Sequence, residues 1–499
     1  KIRQLYLSIL LVALFFLCVN NSLIKFMLKH FNRMKKLLFI LALSTLIFAC
    51  KKEAETPTVT PPPTTTINPN TAPNKWIHEV MSYYYLWNDK MPSLANTKTD
   101  AKPTDYFYTL LNDYPKTDRF SWIDESVTNL QNQLNGISTV LGIKNNAFYT
   151  DNTNTSLAFV LAYVLKGSPA EKAGLKRGDI ILKVDDQTIT NSNYTTILSN
   201  QTLKLGLGDF VGGAFVSNGK SVTVTKVELQ TNPILADTII AWSGKKVGYL
   251  AYSQFLTSFD DSLRAIFGRF KTAGVNELVL DFRYNGGGYV VSSDLITNLT
   301  VKDAAARVGK VMNKKVYNAT YTAYLEKNSG SSAFETLFKS EANNLGTLNR
   351  VFVLTAGNTA SASELVINNL LPFMDVILIG ENTYGKNVGS FTITDPNKRW
   401  DYGLQPITFL TNNAIGKSDY GTVSGFTPNY ILKDNVLPYK ALGNPGETYF
   451  NKALSIMGYV SYQPNSTERS PKYTRTLASK ESFSDNKWLD RKEMWMDPK

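Results

Sequence analysis

From about residue 235 onward, short apolar runs alternate with stretches of helical character, and this alternation limits the possible folds more than any other feature of the sequence. Neighbouring parallel strands need a long crossover connection, usually a helix, whereas antiparallel strands can be joined by a tight turn. Strands that alternate with helices therefore predict an α/β core with a mostly parallel sheet. The apolar runs are VGYLAYSQF (247–255), ELVLDF (277–282), RVFVLT (350–355) and DVILIGE (375–381).

The first fifty residues differ in kind from the rest, because they contain seven basic residues, no acidic residue and two apolar runs. The second run, residues 37–49, follows Met34-Lys35-Lys36 and ends at Cys50, which is the pattern of a bacterial lipoprotein signal. Cys50 would carry the lipid and hold the mature protein on a membrane of the cell envelope. The alternatives are a plain signal peptide or an uncleaved anchor. Residues 1–33 either precede the true start or form a second anchor.

The basic character of the chain comes mostly from this leader. The whole sequence has 53 Lys and Arg against 41 Asp and Glu, but seven of the basic residues lie in the first fifty. The mature part is therefore only weakly basic and has no basic stripe with interleaved aromatic residues, which argues against nucleic-acid binding. The two cysteines, Cys18 and Cys50, lie in the leader and at the lipid site. Disulfides, thiolate metal sites and a cysteine nucleophile are thus excluded from the mature body.

Composition and periodicity divide the remainder of the chain. The Thr- and Pro-rich stretch after Cys50 predicts an extended tether. Trp76, Val80 and Tyr83 recur at helical spacing until Pro92, and residues 105–124 have a similar character, so we expect a helical cap. The predicted segments are the leader and signal (1–50), the tether (51–73), the N-terminal helical region (74–132), a β-rich module (133–232), the α/β core (233–458) and a polar, loosely ordered tail with at most a short helix (459–499).

A serine stands where the strand at 350–355 leads through NTASASE into a helix. This places Ser361 at a helix N-terminus, where unpaired N–H groups and the helix dipole would stabilise a developing oxyanion. The alternative is structural, since Thr359, Ser361 or Ser363 could simply be an N-cap.

A serine nucleophile needs a base. The single histidine of the mature chain, His78, lies far upstream and is better explained as a half-exposed helix residue. Lysine can act instead when burial disfavours its charged form. Lys386 follows the strand at 375–381 in the loop NTYGKN, and adjacent parallel strands would bring this loop beside the Ser361 helix. A solvated lysine without a catalytic role is the alternative.

A third strand ends in the glycine turn of DFRYNGGG (281–288). Such a turn can direct backbone N–H groups into a cleft. The amides of Gly287 and Ala362 would together form a two-donor oxyanion hole.

In this order and spacing, the three elements resemble the C-terminal processing, or tail-specific, serine peptidases. The TASASE-like box of that family carries the nucleophile, here Ser361, and a TYGKG-like loop twenty-five residues later carries the lysine base, here Lys386. The family's LRNNPGG-like box corresponds to FRYNGGG. The resemblance implies a crotonase-like α/β protease core, preceded by a helical cap and a PDZ-like module, with a Ser/Lys dyad that needs no metal or cofactor.

The sequence departs from the family pattern at one position. The family often has a glutamine four residues after the lysine, whereas Ser390 stands here. The Ser390 hydroxyl could still accept a hydrogen bond from Lys386 and support it. Glu364 completes the SASE box, but the sequence predicts no role for it.

The segment GSPAEKAGLKRGDIILKVDD (167–186) resembles the core of bacterial PDZ modules. In such modules a chain end adds a strand to the sheet edge and its carboxylate meets backbone amides. The expected carboxylate-binding loop contains Leu141, Gly142 and Ile143. The alternative is a β-module that serves only as a spacer or lid.

Two other site types have little support. GENTYGKN (380–387) matches the GxxxxGK of a phosphate-binding loop, but Asn387 replaces the final Ser or Thr and the next residues read as a strand. No cluster of His, Asp and Glu has the spacing of metal ligands.

The predicted function is therefore a serine endopeptidase of the bacterial cell envelope that recognises C-terminal tails. Its partners would be protein or peptide substrates and, through the lipid, a membrane. The alternatives are a catalytically silent, peptide-binding envelope lipoprotein and, less favoured because of the secretion signal, a crotonase-like acyl-CoA enzyme.

Overall fold

The computed structural model of the chain describes residues 68–459 and 493–496. The leader, Cys50 and most of the predicted tether lie outside the described residues, as does most of the predicted tail. No helix in the described part combines the length and apolar character needed to cross a bilayer.

The described helices and strands follow one another from the N-terminal region to the core. The α-helices are α1 (Thr71–Tyr84), α2 (Pro103–Thr109), α3 (Val127–Leu134), α4 (Pro169–Lys172), α5 (Tyr194–Ile197), α6 (Asp260–Ala273), α7 (Val290–Thr300), α8 (Ala304–Arg307), α9 (Ala319–Ser329), α10 (Ala362–Leu370) and α11 (Thr448–Ile456). Short 3₁₀ helices span Asn88–Lys90, Leu94–Asn96, Thr257–Phe259 and Gly330–Ala333.

The strands from β1 to β11 are β1 (Trp122–Asp124), β2 (Ile137–Val140), β3 (Ile143–Tyr149), β4 (Leu157–Val164), β5 (Ile180–Val184), β6 (Gln187–Thr188), β7 (Thr202–Val211), β8 (Ala214–Thr225), β9 (Val227–Gln230), β10 (Ile234–Trp242) and β11 (Lys245–Tyr252). Those that follow are β12 (Glu277–Asp281), β13 (Gly287–Tyr289), β14 (Val311–Tyr317), β15 (Glu335–Leu337), β16 (Arg350–Thr355), β17 (Asp375–Gly380), β18 (Val388–Phe391), β19 (Gly403–Gln405), β20 (Ile407–Asn413), β21 (Tyr430–Ile431) and β22 (Glu493–Met496).

The main sheet has the order β10-β11-β12-β16-β17-β21. All its strands from β11 to β21 run parallel, and β10 joins them as an antiparallel hairpin with β11. The predicted parallel α/β core is confirmed. Because the strands are parallel, the carboxyl ends of β12, β16 and β17 lie at one edge of the sheet. The glycine turn, Ser361 and Lys386 follow these three ends and share that edge.

Both faces of the main sheet are covered by helices. Leu280, Val353 and Leu378 are neighbours across β12, β16 and β17, and they pack in one apolar cluster with residues of α6, α7 and α10. Phe352 on the opposite face packs against Tyr449 and other residues of α11. Burial on both faces explains why these strands read as continuous apolar runs and not as alternating ones.

A second sheet, with the order β13-β22-β18-β20-β14-β15, packs against the N-terminal helical region. Its strand β22 corrects the expectation for the tail, because residues 493–496 form a strand and not a helix or a loose segment. Met494 and Trp495 are buried, and the backbone of β22 pairs with β13 on one side and β18 on the other. Pairing with two distant strands therefore decides the conformation of this short segment.

The N-terminal region confirms one predicted helix and shortens the other. Helix α1 covers Trp76, Val80 and Tyr83 but ends at Tyr84, before the expected end at Pro92, because Tyr85 is extended. The stretch 105–124 was expected to be helical, but α2 ends at Thr109 and Trp122–Asp124 form a strand. Pro115 cannot continue a helix. The carboxylate of Asp118 then accepts hydrogen bonds from the backbone N–H groups of Phe120 and Ser121, which holds the chain in a turn.

The β-rich module is an antiparallel sheet with the order β3-β4-β5-β7-β8 around its own apolar core. Arg177, between α4 and β5, joins it to the main body. The Arg177 guanidinium donates to the Lys440 carbonyl (2.8 Å) and the Tyr284 hydroxyl (2.7 Å), and it faces the carboxylates of Asp434 and Glu447. This buried arginine thus links the module to the residues beside the glycine turn.

A second buried arginine, Arg283, comes just before the glycine turn in the sequence. The Arg283 guanidinium contacts the carboxylates of Asp281 (2.6 Å) and Glu447 (2.7 Å) and is fully buried. Burial opposes its charge, but the carboxylates of Asp281 and Glu447 outweigh this effect and raise the pKa of Arg283. The buried charges of Arg283, Asp281 and Glu447 therefore compensate one another through direct contacts and not through solvent.

Replacing Arg283 with methionine is expected to destabilise the core by about 3–5 kcal/mol, because the buried carboxylate of Asp281 loses its cation and that of Glu447 keeps only the longer contact to Arg177. Urea unfolding of Arg283→Met measures this loss. The matched control is Arg269→Met, since Arg269 is half exposed and pairs with Asp237 at the surface. The control should lose less than about 1 kcal/mol. Equal losses in the two variants would contradict a structural role for the buried network.

Candidate active site

Ser361 lies at a sharp turn between β16 and α10. Its backbone has φ +62° and ψ −113°, a region that side-chain-bearing residues rarely adopt and that costs of order 1–3 kcal/mol. Hydrogen bonds from the Thr359 hydroxyl to the Phe282 carbonyl (2.8 Å) and from the Ala360 N–H to the Asn285 carbonyl (3.1 Å) hold the turn. Helix α10 begins at Ala362, so the Ala362 amide has no acceptor within the helix.

The hydroxyl groups of this segment differ in their contacts. The Ser363 hydroxyl donates to the Asn285 carbonyl (3.1 Å), and Thr359 is bonded as described above. Ser361 is the N-cap of α10 and forms a capping box with Glu364, but its buried Oγ makes no close hydrogen bond among the described residues. A buried hydroxyl without a partner is costly and calls for an explanation. The hydroxyls of Thr359 and Ser363 are thus bonded to the backbone, whereas Ser361 caps the helix without a close hydrogen bond to its own hydroxyl in the described part of the chain.

Glu364, for which the sequence predicted no role, connects the Ser361 turn to the Lys386 loop. Its Oε1 accepts hydrogen bonds from the Thr383 hydroxyl (2.6 Å) and the Gly385 N–H (2.7 Å). Its Oε2 accepts from the N–H groups of Ser361 (2.7 Å) and Lys386 (2.9 Å). Because the last two bonds share one oxygen atom, the two backbone nitrogens cannot be farther apart than the sum of these lengths. Ser361 and Lys386 are therefore neighbours in the structure.

The carboxyl group of Glu364 is fully buried. Burial raises its pKa from 4.5 to about 7, although the hydrogen bonds from Thr383, Lys386, Ser361 and Gly385 oppose this shift. Each of its oxygens already accepts two hydrogen bonds, so a proton would displace a donor. The four contacts therefore belong to the ionised form.

Lys386 is also fully buried, and residues of the N-terminal region cover it. The Lys386 Nζ lies 4.8 Å from the ring centre of Phe120, and the Arg119 guanidinium donates to the Gly385 carbonyl (3.3 Å). Neither Arg119 nor Phe120 could be predicted as part of the site from the sequence. Both are separated from the lysine loop by more than 260 residues, and nothing in the local pattern of either segment predicts the contact.

Asn285 shapes the glycine turn. Its side-chain amide donates to the Tyr252 carbonyl (2.9 Å), and its Oδ1 accepts from the Gly287 N–H (2.8 Å). Gly288 has φ +140°, and a Cβ at this position would lie 2.3 Å from the Phe255 carbonyl oxygen, so only glycine fits. The turn thus lies beside the Ser361 segment as expected. The Gly287 amide, however, would have to leave Asn285 before it could donate to a substrate.

The Ser390 hydroxyl contacts other groups and not Lys386. It accepts from the Gln405 side-chain amide (3.0 Å) and donates to the Met494 carbonyl (3.4 Å). Any support that Ser390 gives to Lys386 would therefore be indirect.

The structure agrees with the non-catalytic interpretation of His78 and with the rejection of a phosphate-binding loop at residues 380–387. The ring nitrogens of His78 contact the Pro92 carbonyl (2.9 Å) and the Ser82 hydroxyl (3.3 Å), so this half-buried histidine stabilises its own helix. The residues after Asn387 form the strand β18 and not a helix, which leaves no helix N-terminus to bind a phosphate.

Three segments of the chain match known protein families. Residues 246–423 match peptidase family S41, residues 72–122 match the peptidase S41 N-terminal domain and residues 160–198 match a PDZ domain. A candidate S41 protease from Bacteroides fragilis with a known crystal structure is 31% identical, with a TM-score of 0.66. The match covers 78% of this chain and 98% of that protein. The chain belongs to peptidase family S41.

Named relatives of this S41 peptidase are processing proteases. A carboxyl-terminal-processing protease from Synechocystis sp. is 24% identical over 339 residues, which cover 67% of this chain and 71% of the relative. Carboxy-terminal processing protease CtpA from Bacillus subtilis is 24% identical over 318 residues, covering 60% of this chain and 63% of the relative. These matches confirm the family resemblance and the fold with a PDZ domain that the sequence motifs predicted.

The expected carboxylate loop of the PDZ domain packs against α4. The Gly142 carbonyl accepts from the Leu165 N–H (2.8 Å), and the Leu141 carbonyl accepts from the Ala170 N–H (2.9 Å). A Cβ at Gly142 would lie 2.2 Å from the Ser168 Cβ, so a glycine is required for this close approach. Binding of a peptide carboxylate by Leu141, Gly142 and Ile143 stays a prediction.

Proposed function

We propose that this S41 peptidase is a serine endopeptidase in which Ser361 is the nucleophile and Lys386 is the general base. The observation that carries the proposal is the single Glu364 oxygen that accepts from both the Ser361 and Lys386 amides. It fixes the two residues beside each other, with a strained and unpartnered serine on one side and a buried amine on the other.

The dyad would act as follows. The neutral Lys386 amine accepts the Ser361 hydroxyl proton while Oγ attacks the substrate carbonyl carbon, and the carbonyl π-electron pair moves to the oxygen. The Ala362 amide and an amide of the glycine turn stabilise this oxyanion. Lys386 then donates the proton to the leaving amine as the C–N bond breaks, which leaves an acyl-enzyme on Ser361. Water, activated by the same lysine, hydrolyses the ester and restores both residues.

The surroundings of Lys386 suit this role. A general base has to be unprotonated before it can accept a proton, and desolvation disfavours the charged form of an amine. Phe120 and the fully buried position keep water from the lysine. The Arg119 guanidinium holds the loop through its contact with the Gly385 carbonyl and packs against the Phe120 and Tyr384 rings.

Substrate delivery and location form the remainder of the proposal. The PDZ domain would capture a C-terminal tail through Leu141, Gly142 and Ile143, and Arg177 joins this domain to the main body beside the glycine turn. A lipid on Cys50 would hold the enzyme in the cell envelope, where proteins or peptides are its substrates.

A catalytically silent peptide-binding protein is the second candidate. Two observations favour it: Ser390 replaces the family's usual glutamine, and the Gly287 amide is bonded to Asn285. The two functions differ in whether Ser361 can be acylated.

Labelling with a small alkyl fluorophosphonate distinguishes the two candidates. We expect one phosphonyl group per chain, located on Ser361 by mass spectrometry, and no label in Ser361→Ala. Ser363→Ala is the matched control, because Ser363 lies two residues away in the same buried segment, and this variant should still be labelled. If Ser361 stays unmodified after prolonged incubation of the folded protein, the peptidase proposal is wrong and the silent binder remains.

A further inference from the structure

The strand β22 occupies a slot that is one strand wide in the second sheet. It pairs in parallel with β13 through Gly287 to Tyr289 and in parallel with β18 through Ser390 and Phe391. Adjacent strands lie 4.7–4.9 Å apart, so β13 and β18 are roughly 9–10 Å apart across β22. Without β22, both would present unpaired backbone groups to the slot between them, which is the arrangement that accepts an added peptide strand.

Both walls of this slot continue directly into the proposed catalytic elements. The wall β13 begins at Gly287 in the glycine turn, and Gly287 is in register with Glu493. The wall β18 begins two residues after Lys386, and its Ser390 is in register with Trp495. A peptide backbone in the slot therefore runs between the oxyanion turn and the strand that follows the lysine base.

Wall β18 allows the close passage of a backbone, because it carries Gly389. A Cβ at Gly389 would lie 2.9 Å from the Met494 carbonyl oxygen and 2.2 Å from the Phe409 ring. A side chain at position 389 would thus collide with the Phe409 ring and crowd the backbone of the occupant.

The slot has an apolar pocket on each face. The Met494 side chain lies in the cluster that contains Val388, Phe391 and Phe409. The Trp495 ring packs with Trp122, Leu130 and Leu134, and its centre is 4.8 Å from that of Tyr289. An occupant with two adjacent large apolar residues therefore places one on each side.

We infer that the slot between β13 and β18 is the substrate-binding site of the peptidase, and that the chain's own residues 493–496 fill it as an intramolecular competitor. The inference rests on the proposed function. Substrates would enter as extended segments with two adjacent large apolar residues, replacing Met494 and Trp495. The fully buried Ser361 and Lys386 are consistent with an occupied site, since a substrate reaches them only after part of the protein moves.

The occupant is suited to exchange. It buries the side chains of Met494 and Trp495 and part of Met496, and ordering its four residues costs conformational entropy of the same order as this burial gains. The Trp495 indole N–H is buried without an acceptor among the described residues, which weakens binding further. A substrate segment delivered at high local concentration by the PDZ domain can therefore compete with it.

A reversible covalent lock tests the inference in the full chain. Tyr289→Cys with Trp495→Cys joins the register pair across β13 and β22, in a background with Cys18→Ser and Cys50→Ser. The readout is the rate of Ser361 acylation by a peptidyl diphenyl phosphonate, whose backbone has to enter the slot. We expect the oxidised lock to react at least roughly tenfold more slowly than the same protein after reduction, because only the open fraction binds the probe. The Trp495→Cys single variant controls for the effect of oxidant and reductant.

A second variant approaches the same question without a crosslink. Trp495→Ser should raise the acylation rate by roughly tenfold, whereas Trp242→Ser on β10, outside the slot, should leave it unchanged. Equal rates in the oxidised and reduced lock, or no increase with Trp495→Ser, overturn the inference while the proposed function stands. If neither this probe nor the small fluorophosphonate modifies Ser361 in any variant, the proposed function fails and the inference with it.

Discussion

Lys386→Met is expected to lower kcat/KM for an unfolded protein substrate by roughly a thousandfold or more, while the fold is retained. Methionine has nearly the same length as lysine and is compatible with the apolar contact to Phe120, but it cannot accept a proton. The backbone N–H of residue 386 still reaches Glu364, so the loop keeps its anchor. The measurement is the hydrolysis of a fluorescent casein-type reporter at pH 8, together with the melting temperature.

Lys327→Met on the exposed face of α9 is the matched control, and it should keep full activity. A further comparison separates the base from a positional role. Lys386→Arg retains a cation but is too basic to be neutral near pH 8, so it should be as inactive as the methionine variant. Substantial activity in either Lys386 variant would show that another group takes the Ser361 proton, and the dyad would have to be abandoned.

The parts of this protein that sequence reasoning predicted are those encoded locally. A buried parallel strand reads as an unbroken apolar run, so β11, β12, β16 and β17 could be predicted, and the last three are each followed by a turn motif. Parallel strands place their carboxyl ends at one edge, which is enough to bring the Ser361 and Lys386 loops together.

The parts that sequence reasoning missed depend on contacts between distant segments. Phe120 contacts Lys386 across more than 260 residues, and the strand β22 forms only because β13 and β18 flank it. Asn285 redirects the Gly287 amide in a way that a run of glycines does not reveal. Glu364 was visible as part of the SASE box, but its role emerges only when the lysine loop folds against it.

Glu364→Gln is expected to lower kcat roughly a hundredfold at pH 8 without lowering the melting temperature at that pH. Glutamine offers one oxygen and one NH₂ group, so two of the four donors now held by the carboxylate would face another donor. The Ser361 and Lys386 loops would then lose their common anchor. Stability should not fall in parallel, because the raised pKa of Glu364 means that its ionised form in the folded protein is a net cost.

Stability and activity should depend on pH in opposite directions if Glu364 positions the Ser361 and Lys386 loops. A purely structural role would not produce this difference. With a folded pKa of about 7 against 4.5 when exposed, Glu364 contributes stability that is fully present below pH 4.5 and lost as the pH rises to about 7. The loss is about 3 kcal/mol. Activity should change in the opposite direction, because the ionised form that holds both loops is populated above pH 7.

Urea unfolding of the wild type and Glu364→Gln between pH 4.5 and pH 8 measures the contribution of Glu364 to the free energy of unfolding. The other titrating groups are common to both proteins and cancel in the comparison. We expect the wild type to lose stability relative to the variant across this range while its activity advantage grows. Glu326→Gln, an exposed substitution on α9, should show neither trend. A parallel loss of stability and activity in Glu364→Gln at every pH would contradict the positioning role. The Glu364 carboxylate would then only support the fold.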